Sequence, residues 1–447
     1  MASAAETLAS SMSFSAFSKA KDLKNRIWFT IFALIVFRIG TYIPVPGVDP
    51  VMLGEIFKRH TGGIMDMFNM FSGGALGRMT IFALGVMPYI TASIIVQLLS
   101  AVLPSFEALK KEGQMGQMKL NQYSRYLTVL FATVQSYALA VGLESMANAS
   151  GASAVIIDGT FFRISTMITL TGGAVFLMWL GEQVTSRGIG KGISLLIYGG
   201  IVAGLPSAIG QTLELGRVGS LSTVGMLLIL IMLLVVIAVC VACERAQRRI
   251  LIQYPKRQVG NKMFGGDSSH LPLKLNTSGV IPPIFASSLL LFPLTIASFS
   301  NMQENGGFFA ELVVQLGHGK PLFMLLYAGL IIFFAFFYTA VVFNPSDTAD
   351  NLKKHGGFVP GIRPGKNTAD YFDFVLTRLT VLGAAYLVGI CLLPEFLMAR
   401  GAIPFYLGGT SLLIVVSVTI DTISRVQSHL IAHQYEGLIK KSKLRGR

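Results

Sequence analysis

About ten apolar runs recur along this chain of 447 residues, and polar segments separate them. Most approach the roughly 20 residues that a helix needs to cross the ~30 Å hydrocarbon core of a bilayer. Only 13% of the residues are charged, whereas a soluble domain carries about 25%. The sequence therefore predicts an all-α, polytopic membrane protein with about ten transmembrane helices. The runs are 27–43, 79–103, 126–143, 164–180, 189–209, 221–243, 276–298, 321–343, 379–394 and 403–420.

Basic residues predict the orientation of these runs. If the N-terminus is cytosolic, 28 of the 36 Lys and Arg residues fall in cytosolic segments and six fall outside, while Arg38 and Arg78 lie at membrane depth. This asymmetry predicts that both termini are cytosolic. The Ser-rich, acid-poor residues 1–26 also fit an organellar presequence, but they lead into the first run without a cleavage-like site, which favours a cytosolic tail.

The fifth run ends near the middle of the chain, so ten spans divide into five plus five. An odd number of spans per half requires the halves, if they are related, to be inverted in the membrane. We therefore expect two inverted five-helix halves, 27–210 and 211–424, followed by a cytosolic C-terminal tail, 425–447.

Residues 62–78 are too short to span and contain a pair of glycines, Gly73 and Gly74. The apolar piece within them covers about two helical turns. Glycines let the backbone turn sharply, so this segment is predicted to be a short re-entrant helix in a protein-lined cavity. An ordinary outside loop with a few buried methionines is the alternative.

Two long basic loops, 244–275 and 344–378, mix Lys and Arg with Tyr, Phe, Pro and Gly. Topology alone needs only a few charges near the ends of a span, so we expect docking surfaces for a cytosolic partner, including RNA. The second and seventh spans contain Pro88 and the three prolines Pro282, Pro283 and Pro293. These prolines are expected to kink the two helices, and ordinary helix packing through small residues is the alternative.

The sequence offers no catalytic constellation, and it predicts no cofactor and no metal site. His429 and His433 share a helix face, but no Glu stands between them in HExxH order. Cys240 and Cys243 end a span without the βαβ context of a redox motif, and the three cysteines fit buried free thiols. Arg38 and Arg78 are functional candidates because charges at membrane depth are costly, although either side chain could snorkel to an interface.

Specific strings then indicate a family. The chain resembles the SecY family, the channel subunits of bacterial general protein secretion, over nearly its whole length. The strings that carry the resemblance are FRIGTYIPVPGVD, MFNMFSGGALGR, IFALGVMPYITASIIVQLL, LMWLGEQVTSRGIGKGISLLIYGGIVAGLP, SSHLPLKLN, GVIPPIFASS, FFYTAVVFNPSDTADNLKK, VPGIRPGKNT and PFYLGGTSLLIVV.

The resemblance implies a protein-conducting channel with a lateral gate. Spans two and three would form one side of this gate, and spans seven and eight would form the other side. The re-entrant segment would be its plug, comprising Met65, Phe68, Asn69, Met70, Phe71, Ser72, Gly73 and Gly74. An aliphatic pore ring would be formed by Val86, Ile90, Ile193, Ile197, Ile284 and Ile414. Val86 with Ile90, and Ile193 with Ile197, have the i, i+4 spacing of one helix face.

The resemblance also implies partners: the small membrane subunits SecE and SecG, the ATPase SecA, the ribosome with its RNA, signal-sequence-bearing polypeptides and membrane lipid. The partner-binding residues would be Arg248, Arg249, Lys256, Arg257 and Arg363. The location implied is the bacterial inner membrane. Two departures stand out: Val86 is smaller than the family's usual isoleucine, and the first cytosolic loop is less basic near Gly116.

Two other classes of function are conceivable. A secondary transporter with inverted repeats would need several acidic residues or an ion site at mid-membrane, and the spans contain almost none. An intramembrane hydrolase would need a nucleophile with a base, or a metal pair, within the spans, and neither is visible.

Overall fold

A computed structural model gives the fold, and it describes residues 21–50, 52–54, 69, 72–145, 155–156, 159–218, 223–254, 257–259, 262–264, 268–299, 315, 320–399 and 409–445. The chain forms two compact units. The first comprises Met1–Gln211, Leu291–Val314 and Ile414–Arg447. The second comprises Thr212–Leu290 and Gln315–Leu413.

The first unit is a bundle of helices. Its elements, in chain order, are α1 (Lys21–Gly40), α2 (Met87–Val102), α3 (Pro104–Lys111), α4 (Gln114–Ser145), α5 (Thr160–Arg187) and α6 (Gly192–Arg217). Helix α4 packs against α2, α3 and α5, and α1 packs against α5. Small residues allow close approaches within this bundle, since Gly199 of α6 faces the side chain of Leu34 on α1.

Ion pairs join both ends of the α4–α5 pair. At one end Arg125 donates to both carboxylate oxygens of Glu182, at 2.8 and 2.9 Å. At the other end Nη2 of Arg163 lies 2.6 Å from Oε2 of Glu144, and Oε1 of Glu144 accepts from the backbone N–H of Gly159 at 3.1 Å. The two pairs fix the relative register of the helices.

The second unit combines helices with a β-hairpin. Its elements are α7 (Thr223–Arg245), β1 (Gln247–Gln253), β2 (Arg257–Val259), β3 (Lys262–Phe264), β4 (Ser268–Lys274), α8 (Ile281–Phe299), α9 (Pro321–Val342), α10 (Pro345–Lys354) and α11 (Lys366–Ala399). Helix α8 continues from this unit into the first at Leu291. A last helix, α12 (Gly409–Arg445), likewise begins in this unit and continues in the first from Ile414. Strands β1 and β4 are antiparallel, with Gln247 opposite Lys274 and Gln253 opposite Ser268.

Several prolines act differently from the expectation that they kink helices. Pro88 lies in the first turn of α2, and Pro282 and Pro283 lie in the first turn of α8. A first-turn proline loses no intrahelical hydrogen bond, and its fixed φ suits a helix start. The expectation of a kink is therefore wrong at these three positions. The fourth proline, Pro293, lies inside α8, and the α-helix continues past it.

The apolar run 79–103 is not one helix. Residues 79–86 form turns, and α2 begins at Met87. Met79 has a φ of +43° and lies buried, and its carbonyl accepts from the N–H of Val45 at 2.9 Å. At the other end, α2 and α3 meet at an angle of 97°. The helical part of this run is therefore shorter than the sequence suggested.

Seven helices of the described residues are long and apolar enough to cross a membrane, or eight if α2 and α3 form one bent span. Helix α1 is not among these seven because charged residues occur near both of its ends. They are Lys21, Asp22, Lys24, Arg26 and Arg38. In α8, the segment Ile281–Leu290 forms an apolar helix that is too short to be included among these spans. The architecture is that of a polytopic, predominantly helical membrane protein, and the count of ten spans in two inverted halves stays a prediction.

Candidate functional site

A compact turn that begins at Asn69 precedes α2, and the Asn69 side chain and carbonyl organise it. The Asn69 Oδ1 accepts from the N–H of Gly77 at 2.8 Å, and the Asn69 carbonyl accepts from the N–H of Gly74 at 2.7 Å. Ser72 Oγ donates to the same carbonyl at 2.9 Å. Gly73 and Gly74 have φ values of +69° and +84°, which glycine adopts without strain. We call residues 72–78, together with Asn69, the glycine turn.

The glycine turn lies directly on α6. A methyl group placed on Gly73 would come within 3.0 Å of the Cα of Gly200, so two backbones are in contact here. Gly200 follows Ile197 by three residues, which is about one helical turn. The contact with the turn therefore lies about one helical turn along α6 from one of the residues predicted for the pore ring.

The glycine turn contains half of the predicted plug. Ser72 and Gly73 are buried, and Asn69 and Gly74 are partly exposed. The other four plug residues, Met65, Phe68, Met70 and Phe71, lie outside the described residues. The predicted re-entrant helix thus stays a prediction, whereas the turn that follows it is in place.

The predicted pore-ring residues lie on four separate helices or their starts. Val86 precedes α2, and the N–H of Ile90 donates to its carbonyl at 3.1 Å, which places the two side chains one turn apart. Val86, Ile90, Ile197 and Ile414 are buried. Ile193 and Ile284 are partly exposed, and Ile193 packs against Gly181 of α5. That the six side chains converge on one constriction stays a prediction.

Arg38 has partners that the sequence did not reveal. Its Nη1 donates to the carbonyl of Gly73 at 2.9 Å, and its Nη2 donates to the hydroxyl of Tyr42 at 2.8 Å. The guanidinium carbons of Arg38 and Arg78 lie 4.8 and 4.4 Å from the centre of the Tyr42 ring. The end of α1 is thereby tied to the glycine turn.

The two long basic loops meet in the second unit. Gln253 of β1 and Phe358 exchange backbone hydrogen bonds of 2.9 and 3.0 Å. Beneath them lies a shared apolar core, which consists of Ile250, Leu273, Val359, Phe372, Val375 and Leu376. Loops expected to act as two docking surfaces thus form one structured platform.

Three of the predicted partner-binding arginines, Arg248, Arg249 and Arg363, are exposed on this platform. Arg248 and Arg249 lie on β1, and Arg363 lies in a turn between Gly361 and Gly365, whose φ values are +80° and +109°. The Arg363 carbonyl accepts from the Thr368 hydroxyl at 3.0 Å. Arg257 belongs to the short strand β2, and Lys256 lies outside the described residues.

The acidic, histidine and cysteine side chains of the described residues form no cluster suited to a metal ion. No group of three or more His, Cys, Asp or Glu side chains could hold a metal ion among these residues. Cys240 and Cys391 are buried free thiols, and Cys243 is a partly buried one. The prediction of buried free thiols is confirmed for Cys240 and Cys391, while Cys243 is only partly buried.

Two functional contacts had no signal in the sequence. The backbone contact between Gly73 and Gly200 joins residues far apart in the chain, and a glycine on its own does not indicate its partner. The pairing of Gln253 with Phe358 likewise leaves no local pattern. The apolar run Ile250, Leu251 and Ile252, with two β-branched residues in an otherwise polar loop, could have indicated β1.

Comparisons with known proteins agree with this architecture. The chain is 56% identical to the protein translocase subunit SecY of Rickettsia typhi over 431 residues, which is 96% of this chain and 99% of the relative. It is 54% identical to the protein of the same name from Vibrio cholerae over 437 residues, 97% of each chain. It is 52% identical to that of Escherichia coli K12 over 425 residues, 95% of this chain and 96% of the relative.

Solved structures show the same fold. One reported as the structure of a protein conducting channel has a TM-score of 0.65 at 18% identity, covering 91% of this chain and 92% of the other. Sec61 in the canine ribosome-channel complex has a TM-score of 0.62 at 18% identity, with the same coverage.

The names carried by these relatives describe translocase subunits rather than enzymes, and the fold confirms the prediction of an all-α polytopic membrane protein. The sequence pattern of the SecY family matches residues 80–423, which is more than half of the chain. The chain is therefore a multi-pass membrane protein that belongs to the SecY family.

Proposed function

We propose that this chain is the central protein-conducting channel subunit of a Sec translocon. It passes unfolded secretory polypeptides across the membrane and releases hydrophobic segments sideways into the bilayer. The observation that carries this proposal is the docking of the glycine turn on α6 at Gly200, one helical turn from Ile197. A compact turn that contacts a spanning helix one helical turn from an apolar pore-ring residue supports a plugged pore.

The apolar ring suits a channel that must accept any sequence. Branched aliphatic side chains form no hydrogen bonds with the passing chain, and a narrow apolar constriction impedes ions by dewetting. Val86, Ile90, Ile193, Ile197, Ile284 and Ile414 serve as this ring in the proposal. The plug adds a second barrier, held by the Arg38 hydrogen bond to Gly73 and by the contact with Gly200.

Opening of the channel is a population shift. A signal sequence opens the gate only if it binds the open arrangement better than the closed one. In this proposal the lateral gate separates the second and third spans, α2 and α4, from the seventh and eighth spans, α8 and α9. Substrate binding at this gate and undocking of the glycine turn are two parts of one transition.

The basic platform is the proposed docking site for cytosolic partners. It is supported by the exposure of Arg248, Arg249 and Arg363 and by the core that holds the two loops together. Structures of related fold include Sec61 in a complex with a ribosome. We assign the platform to the ribosome and to SecA, which supplies the energy of nucleotide hydrolysis.

The remaining assignments concern the assembly and its location. The chain works with the small membrane subunits SecE and SecG in the bacterial inner membrane, and both termini are cytosolic. The excess of basic residues in the predicted cytosolic segments supports this orientation. The proposed domain boundaries are at residues 26, 210 and 424. They separate the two cytosolic tails from the spans and divide the ten spans into two halves of five.

Site-specific photocrosslinking tests the proposal. A photoreactive residue is placed at Ile90 or Ile284 in the assembled complex, and a secretory chain is stalled during translocation. We expect adducts between the stalled chain and both sites. The matched control is Leu228 of α7, whose side chain is exposed on a helix that is mostly exposed. No adduct is expected at Leu228.

Two outcomes contradict the proposal. Equal adduct yields at Leu228 and Ile90 would mean that the translocating chain has no defined path along α2. Absence of adducts at Ile90 and Ile284 in an active complex would remove these residues from the channel.

A further inference from the structure

The exposed face of α1 ends in a pair of arginines. Trp28, Phe32, Ile35 and Ile39 follow the i, i+4, i+7, i+11 spacing of one helix face, and all four are more than half exposed. Tyr42 continues this face just beyond the end of the helix and is 55% exposed. In a membrane protein such a stripe faces acyl chains, and a tyrosine at its end marks the interface with the headgroups.

Two positive charges converge on that tyrosine. The guanidinium carbons of Arg38 and Arg78 are both within 5 Å of the ring centre, so they lie no more than about 9 Å apart. Neither arginine takes part in an ion pair among the residues that the structure describes. By contrast, Arg163 and Arg125 are each paired with a glutamate.

The two like charges repel each other, and an anion bound between or beside them would offset that repulsion. The hydrogen bonds from Arg38 to the Gly73 carbonyl and to the Tyr42 hydroxyl fix its position. Those bonds satisfy some of its N–H donors but neutralise no charge. Arg78 is exposed, so donors of both guanidinium groups can reach one ligand at the surface.

We propose that Arg38, Tyr42 and Arg78 form a binding site for the phosphate of an anionic phospholipid, with an acyl chain lying along Ile39 and Ile35. Guanidinium groups bind phosphate oxygens through paired hydrogen bonds, which suits this headgroup. The apolar stripe that leads to the site identifies a lipid rather than a soluble phosphate. Because Arg38 also holds Gly73, the bound lipid stabilises the docked glycine turn.

Photolabelling with phosphatidylglycerol that carries a photoactivatable group near its phosphate tests the site in the purified complex. Labelled peptides from residues 38–45 or 72–80 are the expected result. The critical variant is Arg78→Gln. Arg78 is the last residue of the glycine turn, but the hydrogen bonds within that turn are made by Asn69, Ser72 and backbone groups, so we expect the variant to keep the turn in place. Labelling should fall about fivefold. Arg217→Gln, at an exposed arginine in the last turn of α6, should leave labelling unchanged.

Three results would overturn the proposal. Equal labelling of the Arg78→Gln and Arg217→Gln variants would place the lipid elsewhere. Labelling by a zwitterionic phosphatidylcholine probe as strong as that by phosphatidylglycerol would remove the role of charge. Loss of labelling in excess inorganic phosphate would identify a soluble anion as the ligand. None of these outcomes bears on polypeptide conduction, so the two proposals are tested separately.

Discussion

Replacement of Gly73 by alanine should undock the glycine turn and raise the ion permeability of the closed channel. Two physical costs add at this position. Its φ of +69° is a conformation in which a residue other than glycine costs about 1–3 kcal/mol. The new methyl group would also lie 3.0 Å from the Cα of Gly200, a backbone atom that cannot rotate away. Overpacking of this kind costs roughly 1–3 kcal/mol.

Gly74→Ala is the matched control. Its φ of +84° imposes the same kind of backbone strain, but its methyl group would meet only the Arg78 side chain, at 4.0 Å. The difference between the two variants therefore isolates the contact with α6. We expect at least about 1 kcal/mol more destabilisation of the docked state in Gly73→Ala, which corresponds to roughly fivefold more of the undocked state.

The assay is ion conductance of the reconstituted complex in a planar bilayer without substrate. Conductance should rise in the order wild type, Gly74→Ala, Gly73→Ala. Equal conductance of the two variants would refute the role of the Gly200 contact. A Gly73→Ala channel as tight as the wild type would mean that the glycine turn does not contribute to the seal.

Three further predictions concern other parts of the chain. Arg363→Glu should block motor-driven translocation more than membrane insertion, because it reverses an exposed charge on the platform, and equal loss of both would exclude a motor-specific role. Changing the six ring residues to glycine should raise ion leak, measured in proteoliposomes, and an unchanged leak would place the seal at the plug. Glu144→Gln should lower the free energy of unfolding of the purified complex by about 1–3 kcal/mol, which a thermal melt would detect. The Glu144 carboxylate is mostly shielded and bonds both Arg163 and the backbone N–H of Gly159. Glu182→Gln, in the more exposed pair with Arg125, should cost less than about 1 kcal/mol, and the reverse order would contradict the reasoning from burial.

Much of the candidate site could be anticipated because several of its features are local. Gly73 and Gly74 predicted a sharp turn, and both adopt positive φ values. The spacing of Val86 and Ile90 predicted a shared face, and their backbones are joined by a helical hydrogen bond. These features depend on one residue type or on one helical period, so they are visible without the fold.

Other expectations failed because local chemistry allows more than one outcome. A proline can kink a helix or start one, and only the observed start of α2 decides for Pro88. The apolar run 79–103 was long enough for a span, yet its first eight residues turn to pair with the chain around Ile43 and Val45. Periodicity carries no information about such pairing.

The sequence by itself determined that this chain is a helical, multi-pass membrane protein, since long uncharged runs cannot be accommodated in any other way. Only the tertiary structure decided which groups satisfy one another. It brought Gly73 against Gly200, gave Arg38 the Gly73 carbonyl as acceptor, and joined the two basic loops through Gln253 and Phe358. Such contacts join residues far apart in the chain, and burial, steric fit and hydrogen-bond geometry select among many partners that the sequence leaves equivalent.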